Sequence, residues 1–103
     1  MKPSLLLSAE SKWCKFSAAQ SSDGGAVSTF SPRAMRWDLS SAICRYTGLP
    51  VKQAEQRIRA TGAFSLWEED NAKAQYPCQR TLWDFNDTTT WPYIKLALAQ
   101  ANL

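Results

Sequence analysis

No stretch narrows the possible folds of this chain more than residues 21–25, Ser-Ser-Asp-Gly-Gly. Asp-Gly and Gly-Gly accept positive φ at no steric cost, so they turn the chain back tightly. On either side lie WCKFSAAQ (13–20) and AVSTF (26–30). Their aromatic and β-branched residues suit strands. The pattern predicts a β-hairpin. A lone hairpin is marginal in water, so helices must cover it.

The remaining segments read as helices. Pro3 opens a short one over residues 4–12, with Leu5, Leu6 and Ala9 on one face. Ser31-Pro32 reads as an N-cap and first helical position. That helix would run to Gly48 with Met35, Leu39, Ala42, Ile43 and Tyr46 as its apolar stripe. Pro50 opens the next helix and Gly62 ends it, with Val51, Ala54 and Ile58 inward. A further helix is expected over 63–75, capped by Ser65 with Glu68 at the capping-box position. Tyr76-Pro77-Cys78-Gln79 breaks the pattern. Leu82, Trp83 and Phe85 then lead into an Asn86-Asp87 turn. Asp87 or Thr88 is expected to cap a last helix over 88–101, with Phe85 as its hydrophobic staple. The expected fold is α+β and predominantly helical: four to five short helices and one small β-hairpin in a single domain, 1–103.

At 103 residues, with 45% hydrophobic and 20% charged side chains, the chain suits one core. Five Trp are generous for that length. A small domain needs large apolar side chains to fill its interior, and Trp13, Trp37, Trp67 and Trp91 can serve there. Trp and Arg are also the usual anchors of protein interfaces, which makes these four, with Arg33 and Arg36, the candidate interaction residues.

The net charge of +3 is uneven: +5 over residues 1–62 and −2 over 63–103. Lys12, Lys15, Arg33 and Arg36 near Trp13 and Trp37 would combine charge with stacking, as single-stranded nucleic acid requires. The basic residues still fall short of the density phosphate binding usually shows, so nucleic acid is not the expected partner. No apolar run approaches the ~20 residues of a membrane helix, and MKPSLLLSAESKW is too short in its apolar part for a secretory leader. The expectation is a cytoplasmic protein without a membrane partner.

Catalytic and metal chemistry lack most of their parts. The chain has no His, no Cys-x-x-Cys and no phosphate-binding glycine loop. Neither a metal nor a cofactor is expected. Cys14, Cys44 and Cys78 are too widely spaced for a disulfide framework. Cys14 lies near Lys12 and Lys15 but has no imidazole partner, and reads as a structural thiol. Glu68-Glu69-Asp70 reads as a solvated helix start. The remaining possibility is convergence of acidic groups. Asp38 and the Asn86-Asp87 corner, with Asp84 nearby, would meet if their helices packed together. Asp38, Asn86 and Asp87 are therefore the candidate polar site, set against the simpler reading of Asp38 and Asp87 as helix residues and caps.

Several motifs occur in a telling order: Trp13-Cys14-Lys15-Phe16, Asp23-Gly24, Pro32-x-Ala34-x-Arg36-Trp37 leading into Ala42, then Phe85-Asn86-Asp87 with Thr90 before an apolar helix. Together they resemble a family of small bacterial and phage proteins described only as a domain of unknown function. That pattern runs GWxxG, DxxG, AxRWCxxGAL, and WND or FND with a Thr before the last helix. The likeness spans nearly the whole chain. The chain departs from it at Asp38, where the family has Cys, at Ser41, where it has Gly, and around Phe16-Ser17, where the W-x-x-G glycine belongs. The resemblance implies a shared fold and motif order. It brings no activity, and a nucleophile at the family cysteine is ruled out by Asp38.

The functional expectation is a non-enzymatic binding protein of bacterial or phage origin that acts on a protein partner or pairs with itself. The alternatives are a ligand-binding domain or enzyme using Asp38, Asn86 and Asp87, and a nucleic-acid binder through the basic N-terminal half.

Overall fold

A computed structural model of the chain describes residues 2–73 and 81–103. The elements follow in order: α1 (Pro3–Leu6), a 3-10 turn (Glu10–Lys12), β1 (Ala19–Gln20), β2 (Ala26–Val27), β3 (Arg36–Trp37), α2 (Leu39–Thr47), α3 (Val51–Arg59), α4 (Gly62–Ala72), α5 (Leu82–Thr88) and α6 (Trp91–Gln100). The architecture is a small α+β domain, mostly helical, with one three-stranded antiparallel sheet.

The hairpin forms at the expected place. β1 pairs antiparallel with β2, Ala19 opposite Val27 and Gln20 opposite Ala26. Gly24 takes φ 84° in the turn. The Asp23 carboxylate accepts from the Gly25 amide at 3.0 Å and from the Ser21 hydroxyl. The strands are far shorter than 13–20 and 26–30, and a third strand joins them. β3 lies along the other edge of β1, with Ala19 opposite Trp37 and Gln20 opposite Arg36.

That third strand overturns the helix expected from Ser31-Pro32. The Ser31 hydroxyl accepts from the Arg33 amide at 3.2 Å, a local turn rather than a helix cap. Residues 36–37 join the sheet, and the helix starts only at Leu39. Asp38 outcompetes Ser31 as the cap, because its carboxylate accepts from the Ser41 amide at 2.8 Å. Met35 is thereby left exposed, whereas Leu39, Ala42 and Ile43 are buried as expected. Gly48 ends α2 at φ 69°.

Other boundaries shift for similar reasons. Thr61, not Ser65, caps α4, so Gly62 opens that helix instead of closing the one before. The buried leucine here is Leu7, just past the end of α1, and Leu5 is exposed. The break expected at 76–79, like the last residues of the 63–75 helix and Cys78, lies outside the described residues. The largest correction is at 82–88. Leu82, Trp83 and Phe85 do not lead into a turn; they are helical, as are Asn86 and Asp87. Thr81 and Asp84 form a reciprocal capping box that starts α5. Neither Asp87 nor Thr88 caps α6, which begins at Trp91 behind Thr90.

The core explains most of the aromatic content. Phe64, Trp67 and Phe85 cluster with ring centroids 5.1–5.5 Å apart, above Leu39, Ile43, Ile58, Leu82, Ile94 and Leu98. Trp13 and Trp37 belong to the same core, and Trp91 packs on Trp13 at 6.0 Å. Each buried indole N–H has an acceptor: Asn86 for Trp13, the Thr29 carbonyl for Trp37 and the Thr88 hydroxyl for Trp67. Among the described residues no helix is long and apolar enough to cross a membrane.

Candidate functional site

Asn86 is 1% exposed and sits where three parts of the chain meet. Its Oδ1 accepts from the Trp13 indole at 2.6 Å and from the Leu39 amide at 2.9 Å. Its Nδ2 donates to the Cys14 carbonyl and to Asp87 Oδ1, both at 3.0 Å. A primary amide offers two acceptor positions and two N–H groups, and here all four are used. Asn86 therefore ties the segment before the sheet and the start of α2 to α5. No capacity is left for a ligand.

Asp87 follows on the same helix and holds the loop at residues 14–18. Its Oδ1 also accepts from the Phe16 amide at 2.8 Å. Phe16 has φ 66°, the left-handed region that a side chain normally avoids. Its ring stands in solvent, 80% exposed. Asp38 approaches from the far side. Its backbone N–H donates to the Ala18 carbonyl at 3.0 Å, and its Oδ1 accepts from the Ser41 amide and the Ser40 hydroxyl.

Between these groups lies a cleft of about 260 Å³, lined by Phe16, Ser17, Ala18, Asp38, Trp83 and Asp87. It falls just below the range typical of drug-sized pockets, so it fits a side-chain-sized group, not a nucleotide. Asp87 accepts its bonds on Oδ1, whereas the Asp38 carboxyl takes the Ser41 amide and the Ser40 hydroxyl on Oδ1 and a further hydrogen bond from the Ser41 side chain. Neither carboxylate joins an ion pair among the described residues; the pairs there are Arg33–Asp23 and Arg59–Glu55. Asp38 is only 4% exposed. Burial pushes its pKa above the usual carboxylate range and the charge of Asp87 adds to this, against the hydrogen bonds from Ser41 and Ser40.

Cys14 lies behind the cleft. Burial pushes its thiol up to about 12, with Asp38 and Asp87 adding and Arg36 opposing. Its Sγ donates to the Ser17 carbonyl at 3.4 Å. Such a thiol is a packing group, not a nucleophile. Among the described residues no group of three His, Cys, Asp or Glu is placed to hold a metal ion.

The structure therefore brings Asp38 and Asp87 together at one cleft, with Asn86 as the strut behind them. It does not bring the candidate interaction residues together on a surface. Trp13, Trp37 and Trp67 are buried and Trp91 is half-buried. Arg33 is exposed 4.0 Å from Asp23, and the Arg36 guanidinium donates to the Ser11 carbonyl at 3.2 Å. Both indoles are buried, but each meets one cation: the Lys15 ammonium lies 5.3 Å from the Trp13 ring centre and the Arg45 guanidinium 5.6 Å from that of Trp37. Sequence reasoning overlooked Phe16 and Trp83. Trp83 was readable in principle: once 82–88 is taken as a helix, Leu82, Phe85 and Asn86 make its inner face and Trp83 is left outside. Phe16 gave one signal, its place at the glycine of the W-x-x-G pattern. No family model, curated protein or solved structure matches the chain.

Proposed function

We propose that this chain is a non-enzymatic binding domain whose cleft holds one positively charged group of a ligand or partner. The observation that carries this reading is the pairing of Asp38 with Asp87 at one small cleft, with no cation of the protein ion-paired to either among the described residues. Two carboxylates held close cost electrostatic free energy, and a bound cation relieves it. A catalytic reading has less support, since the nearby thiol is held protonated and the described residues provide neither a base for it nor a metal site.

A titration of 15N-labelled protein with ammonium and guanidinium salts tests the reading. The Phe16 and Asp87 amide resonances should shift and saturate, and Asp87→Asn should abolish the saturation. Shifts that never saturate, or that survive in Asp87→Asn, would sink it.

We also place the chain in the family of small bacterial and phage proteins that its motifs resemble. Two features support this. The W-x-x-G glycine position falls on Phe16, where φ is 66°. The Trp of the first motif and the Asn of the last are joined directly, Trp13 to Asn86. A structure of a member that keeps the glycine should show it left-handed and show the same Trp–Asn bond; an extended glycine there would count against the assignment.

A further inference from the structure

The cleft carries two features that a pair of acids alone does not explain. First, Phe16 adopts a left-handed backbone conformation, and its ring gains no burial in exchange. Strain of this kind persists where the surroundings enforce it, and it concentrates at ligand sites. Here the enforcing group is Asp87, one of the two cleft carboxylates, through its 2.8 Å bond to the Phe16 amide. Second, Trp83 is 47% exposed although the core takes up three other indoles. It lies four residues before Asp87 on α5, so the indole and the carboxylate share one helix face. Phe16 and Trp83 both line the cleft. The Asp38 carboxyl lines the cleft as well, in a residue only 4% exposed, and carries hydrogen bonds from Ser40 and Ser41.

We infer that the cleft selects an organic cation with a planar or apolar face, a guanidinium or an alkylated ammonium, held by Asp38 and Asp87 and covered by the rings of Phe16 and Trp83. The inference rests on the binding reading above and adds the chemical class. Aromatic faces attract such cations, and the attraction grows as water is excluded. A planar guanidinium can stack on an indole while presenting a fork of N–H donors to carboxylate oxygens. Bare metal ions fit poorly, because they demand more oxygen ligands than the two carboxyls of the cleft supply. Anions are repelled by both acids. The volume admits the end of an arginine side chain or a small quaternary ammonium.

The test is an NMR titration of the intact chain with tetramethylammonium chloride, N-acetylarginine amide and an arginine-containing peptide. Butylammonium, sodium and magnesium chlorides serve as comparison cations. The variants are Phe16→Gly, which suits the left-handed backbone, and Trp83→Leu, which keeps a helix former. The two flat or alkylated probes should bind more tightly than the comparison cations, and each variant should weaken them about tenfold, the scale of one well-placed cation–aromatic contact. A peptide that binds more tightly than the free amide identifies a protein as the source of the group; equal binding identifies a small molecule. Equal affinity for butylammonium, sodium or magnesium, with both variants unchanged, overturns the inference while leaving the binding reading standing. Saturation by none of the cations overturns both.

Discussion

The indole N–H of Trp13 meets Oδ1 of Asn86 at 2.6 Å, across 73 residues of sequence. The same oxygen takes the Leu39 amide, at the first residue of α2. One buried amide thus sets where the segment before the sheet, the start of α2 and the helix carrying Asp87 sit relative to one another. The cleft follows from that arrangement, since its two carboxylates stand immediately beside atoms that Asn86 holds.

Removing this strut should cost more than an ordinary polar deletion. Asn86→Ala leaves the Trp13 N–H, the Leu39 N–H and the Cys14 carbonyl without partners in the interior. Each buried orphan costs about 1–3 kcal/mol, so a loss of about 3 kcal/mol or more is expected. A domain of this size has about 5–15 kcal/mol in all. Urea denaturation should show the loss, with Asn86→Asp at least as damaging, because it gives up both donors and sets a buried carboxyl about 3.0 Å from the Asp87 carboxylate. A loss below about 1 kcal/mol for Asn86→Ala would show that the node is not structural.

Phe16→Gly should act in the opposite direction. A left-handed residue with a side chain carries about 1–2 kcal/mol of backbone strain, and glycine removes it. Glycine also gives up more chain entropy on folding, by roughly 0.5–1 kcal/mol. The exposed ring contributes little packing, so the net expectation is a gain of up to about 1 kcal/mol. Thermal melting would register this as a few degrees. A stabilised variant that binds less well would mark the Phe16 conformation as one kept for its ring and not for the fold.

Asp87→Ala separates two roles for the same residue. As a helix cap it would loosen the first turn of α6; as the acceptor for Phe16 it should loosen the 14–18 loop instead. A cap loss costs about 1 kcal/mol, and losing the Phe16 and Asn86 bonds together costs about 1–3 kcal/mol, ranges that overlap, so stability alone does not distinguish them. Hydrogen exchange does. The Phe16 amide should exchange faster, and the amides of Tyr93 and Ile94, bonded to the Thr90 carbonyl, should be unchanged.

What the sequence made readable follows from how local each signal is. The hairpin turn, the Gly48 stop and the inward Ala54 and Ile58 depend on neighbours a few residues away, and each stands where local rules put it. The stretch 31–37 went astray because Ser-Pro is a sound local helix start, while pairing with β1 is a long-range gain. Residues 82–88 went astray because Asn-Asp looks like a turn when the capping box one turn earlier is overlooked. Asp38 and Asp87 were singled out as acids that would converge if their helices packed. The order of that packing rests on Asn86, whose partners lie 47 to 73 residues away. No periodicity encodes that, and the side chains that finish the cleft, Phe16 and Trp83, drew no attention in the absence of the cleft.

Cys14 should be inert in the folded protein. Its thiol is pushed up to about 12 and is buried, so almost no thiolate exists at pH 8. Iodoacetamide at pH 8, followed by peptide mass spectrometry, should leave Cys14 unmodified in native protein and label it fully in urea. Brisk native labelling would mean that the 14–18 loop opens readily.

Asp38 gives the sharpest pH test, because it caps a helix and is buried at once. Asp38→Ala removes the acceptor for the Ser41 amide and should cost about 1 kcal/mol. Asp38→Asn keeps an acceptor at that position and removes the charge. Asn and Asp are equally good caps, so the difference between wild type and Asp38→Asn isolates the carboxyl's ionisation. The pKa of Asp38 is raised in the folded state, chiefly by burial. The folded protein therefore holds the proton more tightly than the unfolded chain, whose value is about 4. Protonation accordingly stabilises the fold as pH falls through the folded value toward about 4, and that contribution is lost as pH rises. Charge at the start of α2 also gains from the helix dipole, typically 0.3–1 kcal/mol near a surface, but the upward shift means that burial outweighs it. At pH 7 Asp38→Asn should be at least as stable as wild type. On acidification toward pH 4 wild type should regain ground against it in urea melts recorded at each pH. Wild type gaining on Asp38→Asn as pH rises would mean that the carboxylate is stabilised where it sits. Cation binding should follow the same titration, weakening as Asp38 takes up its proton, and Asp38→Asn should remove that part of the pH dependence.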